Sequence, residues 1–203
     1  MKVEKHPASG QMEAPIVGDH LAMDLLNTEA SVDGVTVDYW HSGEDVLTWL
    51  ARHGIATGGT ESPVDLAALL TRGKTLRALV RRLIGERKDD RLGDIAELNA
   101  YLHAHISAPH LARDSEGGLT LTRLARADPV ASMLGAVAEA AAQLLVEGDF
   151  DLVKQCEHPE CILWFYDRTK AHKRRWCSMA LCGNRYKAAQ FRKKAGRGAD
   201  NVE

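Results

Sequence analysis

The stretch CEHPECILWFYDRTKAHKRRWCSMALCGNR, residues 156–185, holds all four cysteines of the 203-residue chain. They form two matched pairs, Cys156-x4-Cys161 and Cys177-x4-Cys182, separated by fifteen residues. Zinc bound by four thiolates calls for this arrangement, since a tight turn within each pair lets two sulfurs face one ion and a longer loop brings the pairs together. His158-Pro159 lies inside the first pair, where proline restricts the backbone to a turn. Two disulfides are the alternative. Such frameworks belong mainly to oxidising compartments, and the N-terminal MKVEKHPASGQMEAP lacks the apolar core of a secretory signal. The expectation is one structural Zn2+ on Cys156, Cys161, Cys177 and Cys182. A catalytic zinc usually keeps an open position and recruits His or Glu, whereas four cysteines close the shell. His158 and His172 are near enough to replace one thiolate, with a place beside the site or in solvent the simpler reading.

Between the pairs, Ile162-Leu163-Trp164-Phe165-Tyr166 is β-prone and predicts a strand that returns as a hairpin through Arg174, Arg175 and Trp176. After Cys182, Ala188, Phe191 and Ala195 recur at helical spacing, so a helix is expected to start at the last ligand, its N-terminal dipole favouring the thiolate. Knuckle, hairpin and helix around four cysteines describe a treble-clef-like finger. Trp164 and Trp176 would pack its small core, with stacking on bases the less ordinary use.

Outside this segment the chain is mainly helical, with small β elements, an α+β protein. Residues 1–15 are polar and read as a flexible arm, and 197–203 as a flexible tail. Asp19 is placed to cap a short helix carrying Leu21, Ala22, Leu25 and Leu26. Ser42 and Asp45 have capping-box spacing ahead of a helix stopped at Gly54. Ser62-Pro63 opens a longer helix with Leu66, Leu69, Leu76, Val80 and Leu83 as its stripe. Another runs from about Leu92 to Ile106. Leu119, Leu121 and Arg123 alternate with Thr120 and Thr122 after the turn residues DSEGG, predicting a β-hairpin. Asp128-Pro129 then opens an Ala-rich helix closed by Gly148. GDFD, residues 148–151, marks the boundary between the helical part and the finger.

Apolar residues make up 45% and charged residues 27% of the chain, the balance of an ordinary globular protein. No uninterrupted apolar run approaches the roughly 18 residues of a membrane span, and a cytoplasmic protein is expected. A net charge of −2 conceals a strong division. Met1–Val153 has 14 Lys plus Arg against 23 Asp plus Glu, while Lys154–Gly198 has 12 against 3. That asymmetry points to an anionic partner for the basic part, or to its docking on the acidic body. His103, His105 and His110 are poorly placed for a metal, because positions two apart on a helix diverge. His20 and Asp24 share a helical face as a pair suited to acid–base work or, more simply, to the surface. No phosphate loop, nucleophile elbow or HExxH motif occurs, so no catalytic residue and no enzyme is expected.

Cys156, Cys161 followed by Trp164-Phe165-Tyr166-Asp167, then Arg174-Arg175-Trp176-Cys177-Ser178-Met179 and Cys182-Gly183-Asn184-Arg185 with Lys187 resemble the CGNR zinc finger proteins with an N-terminal ABATE domain. That family is described as stress-induced transcription regulators. GDHLAMDLLNT and LTWLARHG are similar to its earlier segments, so the likeness covers most of the chain from about Gly18. Ala171 departs from the pattern, which has Asn there. The resemblance implies an ABATE-like domain over 16–150 and a CGNR-type finger over 151–196 that binds duplex DNA. Lys170, Lys173, Arg174, Arg175, Arg185, Lys187, Arg192, Lys193 and Lys194 suit phosphate contact with counterion release. Arg185 either reads a base or braces the finger, since a guanidinium serves both purposes. The N-terminal domain would take a small-molecule effector or mediate homodimerisation. The alternatives are a zinc-stapled protein-interaction module, in which the basic finger engages an acidic protein, and an RNA-binding protein.

Overall fold

The computed structural model describes residues 13–55, 63–91, 93–104, 108–113, 115, 117–124 and 128–199. In chain order its elements are α1 (Leu21–Leu26), β1 (Glu29–Val32), β2 (Val35–Asp38), α2 (Gly43–Arg52), α3 (Leu66–Lys88), α4 (Ala96–Ala104), β3 (Ala108–Arg113), β4 (Leu119–Leu124), α5 (Pro129–Glu147), β5 (Val153–Gln155), β6 (Trp164–Tyr166), a π-helical turn (Met179–Gly183) and α6 (Asn184–Ala199). The described strands pair as three separate antiparallel ladders, β1–β2, β3–β4 and β5–β6. The fold is thus α+β, as expected. These elements gather into two compact units that do not follow chain order: residues 40–150 form one, and the stretch up to Tyr39 joins the stretch from Asp151 onward in the other.

Within residues 40–150, α2 opens with a complete capping box. The Asp45 amide donates to the Ser42 hydroxyl at 3.3 Å and the Ser42 amide to the Asp45 carboxylate at 2.8 Å. Helix α3 starts at Leu66 rather than at Pro63, because the Asp65 carboxylate accepts from the Ala68 amide at 2.9 Å and caps it there. Ser62 and the first part of the expected Leu92–Ile106 helix's neighbourhood, Leu92 itself, lie outside the described residues, as does Ile106. Helix α5 is capped by Asp128, which accepts from the Ala131 amide at 2.9 Å. It is long and apolar enough by composition to cross a membrane, yet half of that window is buried, and it packs against α3 and α4 as a core helix. Trp40 and Trp49 are buried edge-to-face, ring centroids 5.4 Å apart, with the Arg77 guanidinium 5.4 Å from the Trp40 ring. In the hairpin β3–β4, Leu111 stands opposite Leu121, and Leu111, Leu119 and Leu121 all face outward.

The other unit is built on a β6 backbone that residues 17–27 complete. Asn27 is fully buried; its amide group donates to the Trp164 carbonyl at 2.8 Å and its carbonyl accepts from the Trp164 amide at 2.8 Å, copying one rung of a sheet with a side chain. The Tyr166 amide donates to the Gly18 carbonyl at 2.8 Å. On its other edge β6 pairs with β5, Val153 opposite Tyr166 and Gln155 opposite Trp164. The expected return strand through Arg174–Trp176 is therefore replaced by β5. Its loss has a local cause: the Arg174 amide donates to the Asp167 carboxylate at 2.9 Å instead of to a ladder.

Helix α1 is capped by His20, not Asp19. The His20 Nδ1 accepts from the Ala22 amide at 3.1 Å, while Asp19 adopts φ +54° and turns toward Arg174. The hairpin β1–β2 is absent from the sequence expectations, although Asp33-Gly34 between two β-prone runs carries its signal. Both residues have positive φ, +51° and +80°, the requirement of a type I′ turn.

The linear division into 16–150 and 151–196 therefore does not describe the compact units, since residues 16–39 pack with the finger. The charge division moves with it. Residues 13–39 hold six carboxylates and no Lys or Arg, and they belong to the unit that contains the basic segment. Replacing Asn27 by Ala removes two hydrogen bonds and leaves the Trp164 amide and carbonyl without those partners, a cost of about 2 kcal/mol. Urea unfolding of the zinc-loaded full chain measures it, and a loss below about 0.5 kcal/mol would show that β6 does not depend on this contact.

Candidate metal centre

The four cysteine sulfurs lie within 4.8 Å of one another. Cys161 and Cys177 Sγ are 3.9 Å apart, and Cys177 and Cys182 Sγ are 3.6 Å apart. A disulfide requires about 2.05 Å, so these sulfurs are unbonded. Tetrahedral zinc with bonds of about 2.3 Å places its sulfurs roughly 3.8 Å apart, and the observed separations match that edge. Four thiolates so close repel one another unless a cation sits among them. Hydrogen bonding with the Cys156 and Cys161 sulfurs pushes the Cys177 and Cys182 thiols up, and because zinc takes cysteine as thiolate, its binding releases protons. The donor set fits one zinc ion.

Each ligand is set by a short turn. The Cys161 amide donates to the His158 carbonyl at 2.9 Å, closing the first knuckle, and the Cys156 amide donates to Leu163 O at 2.9 Å, tying it to the start of β6. In the second, the Cys182 and Gly183 amides both donate to Ser178 O, at 2.9 and 3.1 Å. The last ligand thus lies in the π-helical turn, one residue before Gly183 ends it, and α6 begins at Asn184. A Cβ on Gly183 would meet Met179 Sδ at 2.5 Å and Trp176 Cδ1 at 3.2 Å, so a larger residue here would push the exposed Met179 side chain aside and crowd Trp176. Behind the sulfurs, Phe165, Leu163 and Ala30 bury one side of the site, with Val17, Tyr39 and Trp176 packed at its margin. His158 and His172 are engaged elsewhere. The His158 Nδ1 accepts from the Glu160 amide at 3.3 Å, and the His172 Nδ1 lies 3.2 Å from the Asp167 carbonyl. The shell is four cysteines, closed to substrate.

A buried carboxylate and a half-buried guanidinium hold the finger around this centre. The Asp167 side chain is fully buried and accepts from Lys154 Nζ at 2.8 Å, the Thr169 hydroxyl at 2.6 Å and the Thr169 and Arg174 amides at 3.1 and 2.9 Å. Burial alone would raise its pKa, but the Lys154 ammonium and these donors outweigh it and hold the carboxyl well below the usual carboxylate range. The stability it supplies is present above its unfolded value near 3.9 and lost as pH falls through the lowered folded one. Arg174 donates to Trp176 O at 2.9 Å, to Val17 O at 2.8 Å, and to Cys177 O and the Asp19 carboxylate. Its guanidinium also lies 4.2 Å from the Phe165 ring. Arg174, expected at a DNA contact, instead makes four donor bonds within the protein and staples the N-terminal segment to the second knuckle.

The remaining cations divide. Arg175 donates to Glu157 at 2.6 Å and stacks on Trp176, and Arg185 donates to Glu160 at 3.1 Å. Arg185 thus bridges the start of α6 to the first knuckle; it does not reach Asp167. Lys170, Lys173, Lys187, Arg192 and Lys193 are exposed, and the Lys194 side chain lies outside the described residues. Trp176 packs on Tyr186 with ring centroids 4.7 Å apart. Of the weaker candidates, His103 is exposed on α4 and His105 lies outside the described residues. His20 caps α1, and Asp24 is buried, accepting from the Val17 and Gly18 amides at 3.0 and 2.8 Å. That pair is structural. Among the described residues the cysteines are the one metal-competent cluster. Sequence reasoning missed Lys154 and Asn27 as site-building residues; nothing local marks either.

Comparison with protein families agrees with this geometry. A family model called ABATE, described as "Putative stress-induced transcription regulator", matches residues 19–148, and a model described as CGNR zinc finger matches residues 153–195. No curated protein matches the chain. Purified, reduced protein will carry one zinc per chain by elemental analysis. Cys177→Ser will abolish zinc retention and unfold the metal-bearing unit, because its core is too small to stand without the ion. Far-ultraviolet circular dichroism will keep the signal of α2–α5, and loss of the whole helical signal would contradict the two-unit division.

Proposed function

Because the chain belongs to the ABATE family and carries a CGNR zinc finger, we propose that it is a cytoplasmic transcription regulator of the stress-induced class whose finger binds duplex DNA. The observation that carries this reading is the set of exposed cations on a metal-fixed unit. Lys170, Lys173, Lys187, Arg192 and Lys193 form no ion pair among the described residues, and α6 contains no carboxylate. Such a surface suits phosphate neutralisation with release of counterions. Arg174 is engaged within the scaffold, and Arg175 and Arg185 are each paired with a glutamate in the first knuckle. Exposed pairs of that kind are worth at most about 1 kcal/mol, so either guanidinium is free to exchange its glutamate for a phosphate. Residues 40–150 have their own core and caps and would supply sensing or dimerisation. The proposal is a binding protein rather than a catalyst.

Affinity for duplex DNA will fall steeply with salt. Lys187→Gln and Lys193→Gln will each flatten the log–log salt slope by about 0.9 and weaken binding to all sequences alike, as read by fluorescence anisotropy between low and physiological salt. Arg174→Ala will act differently, lowering the melting temperature of the zinc-loaded protein. Equal salt slopes in the wild type and both lysine variants would remove the phosphate assignment. Tighter salt-sensitive binding to an acidic protein surface than to any duplex would favour the interaction-module reading.

A further inference from the structure

From Gly183 to Gly198 the chain has six Lys and Arg and no Asp or Glu. Every residue from Lys187 to Lys193 is exposed, so this part of α6 packs against nothing described, and a helix of 16 residues is marginal in water without a packing partner. At about 100° per residue, Tyr186, which packs on Trp176, lies about 140° around the helix from Phe191. The face turned away from the finger therefore carries Asn184, Ala188 and Phe191. Phe191 is 75% exposed and is the largest apolar group on that face. Lys187 flanks this stripe on one side, and Arg185 and Arg192 flank it on the other. The arrangement is a narrow apolar ridge between two cationic rails.

A surface of that form complements a groove with anionic walls and a floor that offers an apolar group. The major groove of B-DNA, about 12 Å wide, admits a helix of 10–12 Å, its walls are phosphates, and its floor presents the C5-methyl of thymine. We propose that α6 lies in the major groove with Ala188 and Phe191 against base edges, Phe191 packing on a thymine methyl, while Lys187 and Arg192 contact phosphates on opposite walls. This rests on the DNA-binding reading above and adds to it which face is turned to the bases and which base it selects. The cations fix register and carry little sequence information; the apolar ridge supplies the discrimination.

The test uses the zinc-loaded full chain and a randomised duplex pool, followed by anisotropy titrations of the selected duplex and of an unrelated one. Selected sites will share a thymine. Replacing that thymine by deoxyuridine, which lacks the methyl, will weaken wild-type binding about fourfold, the worth of one buried methyl-sized group. Phe191→Ala will weaken binding to the selected duplex about tenfold, leave binding to the unrelated duplex and the salt slope unchanged, and make the uracil replacement neutral. The substitution sits on an exposed helix face and removes no internal contact, and retained zinc with an unchanged melting temperature confirms the fold. If the wild type binds duplexes with salt sensitivity but selects no sequence, or if Phe191→Ala keeps full affinity for the selected duplex, this inference falls while the DNA-binding reading stands. If the zinc-loaded wild type binds no duplex at all, both fall; binding to anionic vesicles that is lost in Phe191→Ala would then assign the ridge to a lipid surface.

Discussion

Four sulfurs within 4.8 Å of one another are the constraint from which the metal-bearing unit is assembled. Without a divalent cation they could not all be deprotonated, and without their convergence the two knuckles would have no common point. The ion thus does the work that a larger apolar core does elsewhere. Its consequences extend along the chain in both directions. The first knuckle hands its geometry to β6 through the Cys156–Leu163 hydrogen bond. The second sets the start of α6 through the π-helical turn that ends at Gly183. The direction in which the basic helix leaves the finger is therefore set at its first turn, where Cys182 joins the metal site, Tyr186 packs on Trp176 and Arg185 bridges to Glu160.

Arg174 and Asp167 show why the finger cannot be read as a self-contained module. A buried carboxylate costs stability unless it is fully paired, and Asp167 is paired through groups from β5, the following loop and the backbone of Arg174. Arg174 in turn needs acceptors for its fork of donors, and it finds them in Val17 and Asp19 as well as in the second knuckle. The N-terminal segment is thus part of the finger's electrostatic closure. Residues 40–150 stand in the chain as an insertion between two halves of one unit and are tethered to it at both ends.

What the sequence made legible was whatever depends on short-range spacing. The cysteine pairs, the Ser42–Asp45 capping box, the Asp128-Pro129 helix start and the period-two hairpin each rest on residues a few positions apart, and each is found in the structure. The contacts that escaped span long separations. Asn27 and Trp164 are 137 positions apart, and nothing in the local character of Asn27 at a helix end distinguishes a cap from a docking side chain. The β6 partner was misassigned for the same reason: Val153–Gln155 and Arg174–Trp176 are both β-compatible, and the choice falls to Asp167, which takes the Arg174 amide out of the ladder. Cations look alike in sequence, yet Arg174 is a half-buried staple and its neighbour Arg175 a surface pair. The Asp33-Gly34 turn was readable and marks a hairpin that a search for helical stripes passes over.

Charge is where the structure most changes the functional argument. In sequence the acidic residues fall in a body and the basic ones in a finger, a division that would make the finger a polycation. The compact unit that contains the metal site has 14 Lys and Arg against 13 Asp and Glu, counting residues 1–39 with 151–203, and so is nearly neutral. Net charge therefore supplies little long-range attraction to a polyanion. Distribution does, because six carboxylates lie in residues 13–39 while the run from Gly183 to Gly198 has none. Beyond a Debye length of about 8 Å at physiological salt, exposed charges hardly sense one another, and α6, about 24 Å long, reaches well past that distance. Its outer cations thus act as an isolated basic tip on a neutral base. Such a tip gains phosphate contacts only at close range, so on the proposed DNA-binding reading recognition would rest on how the helix fits its groove more than on electrostatic capture from afar.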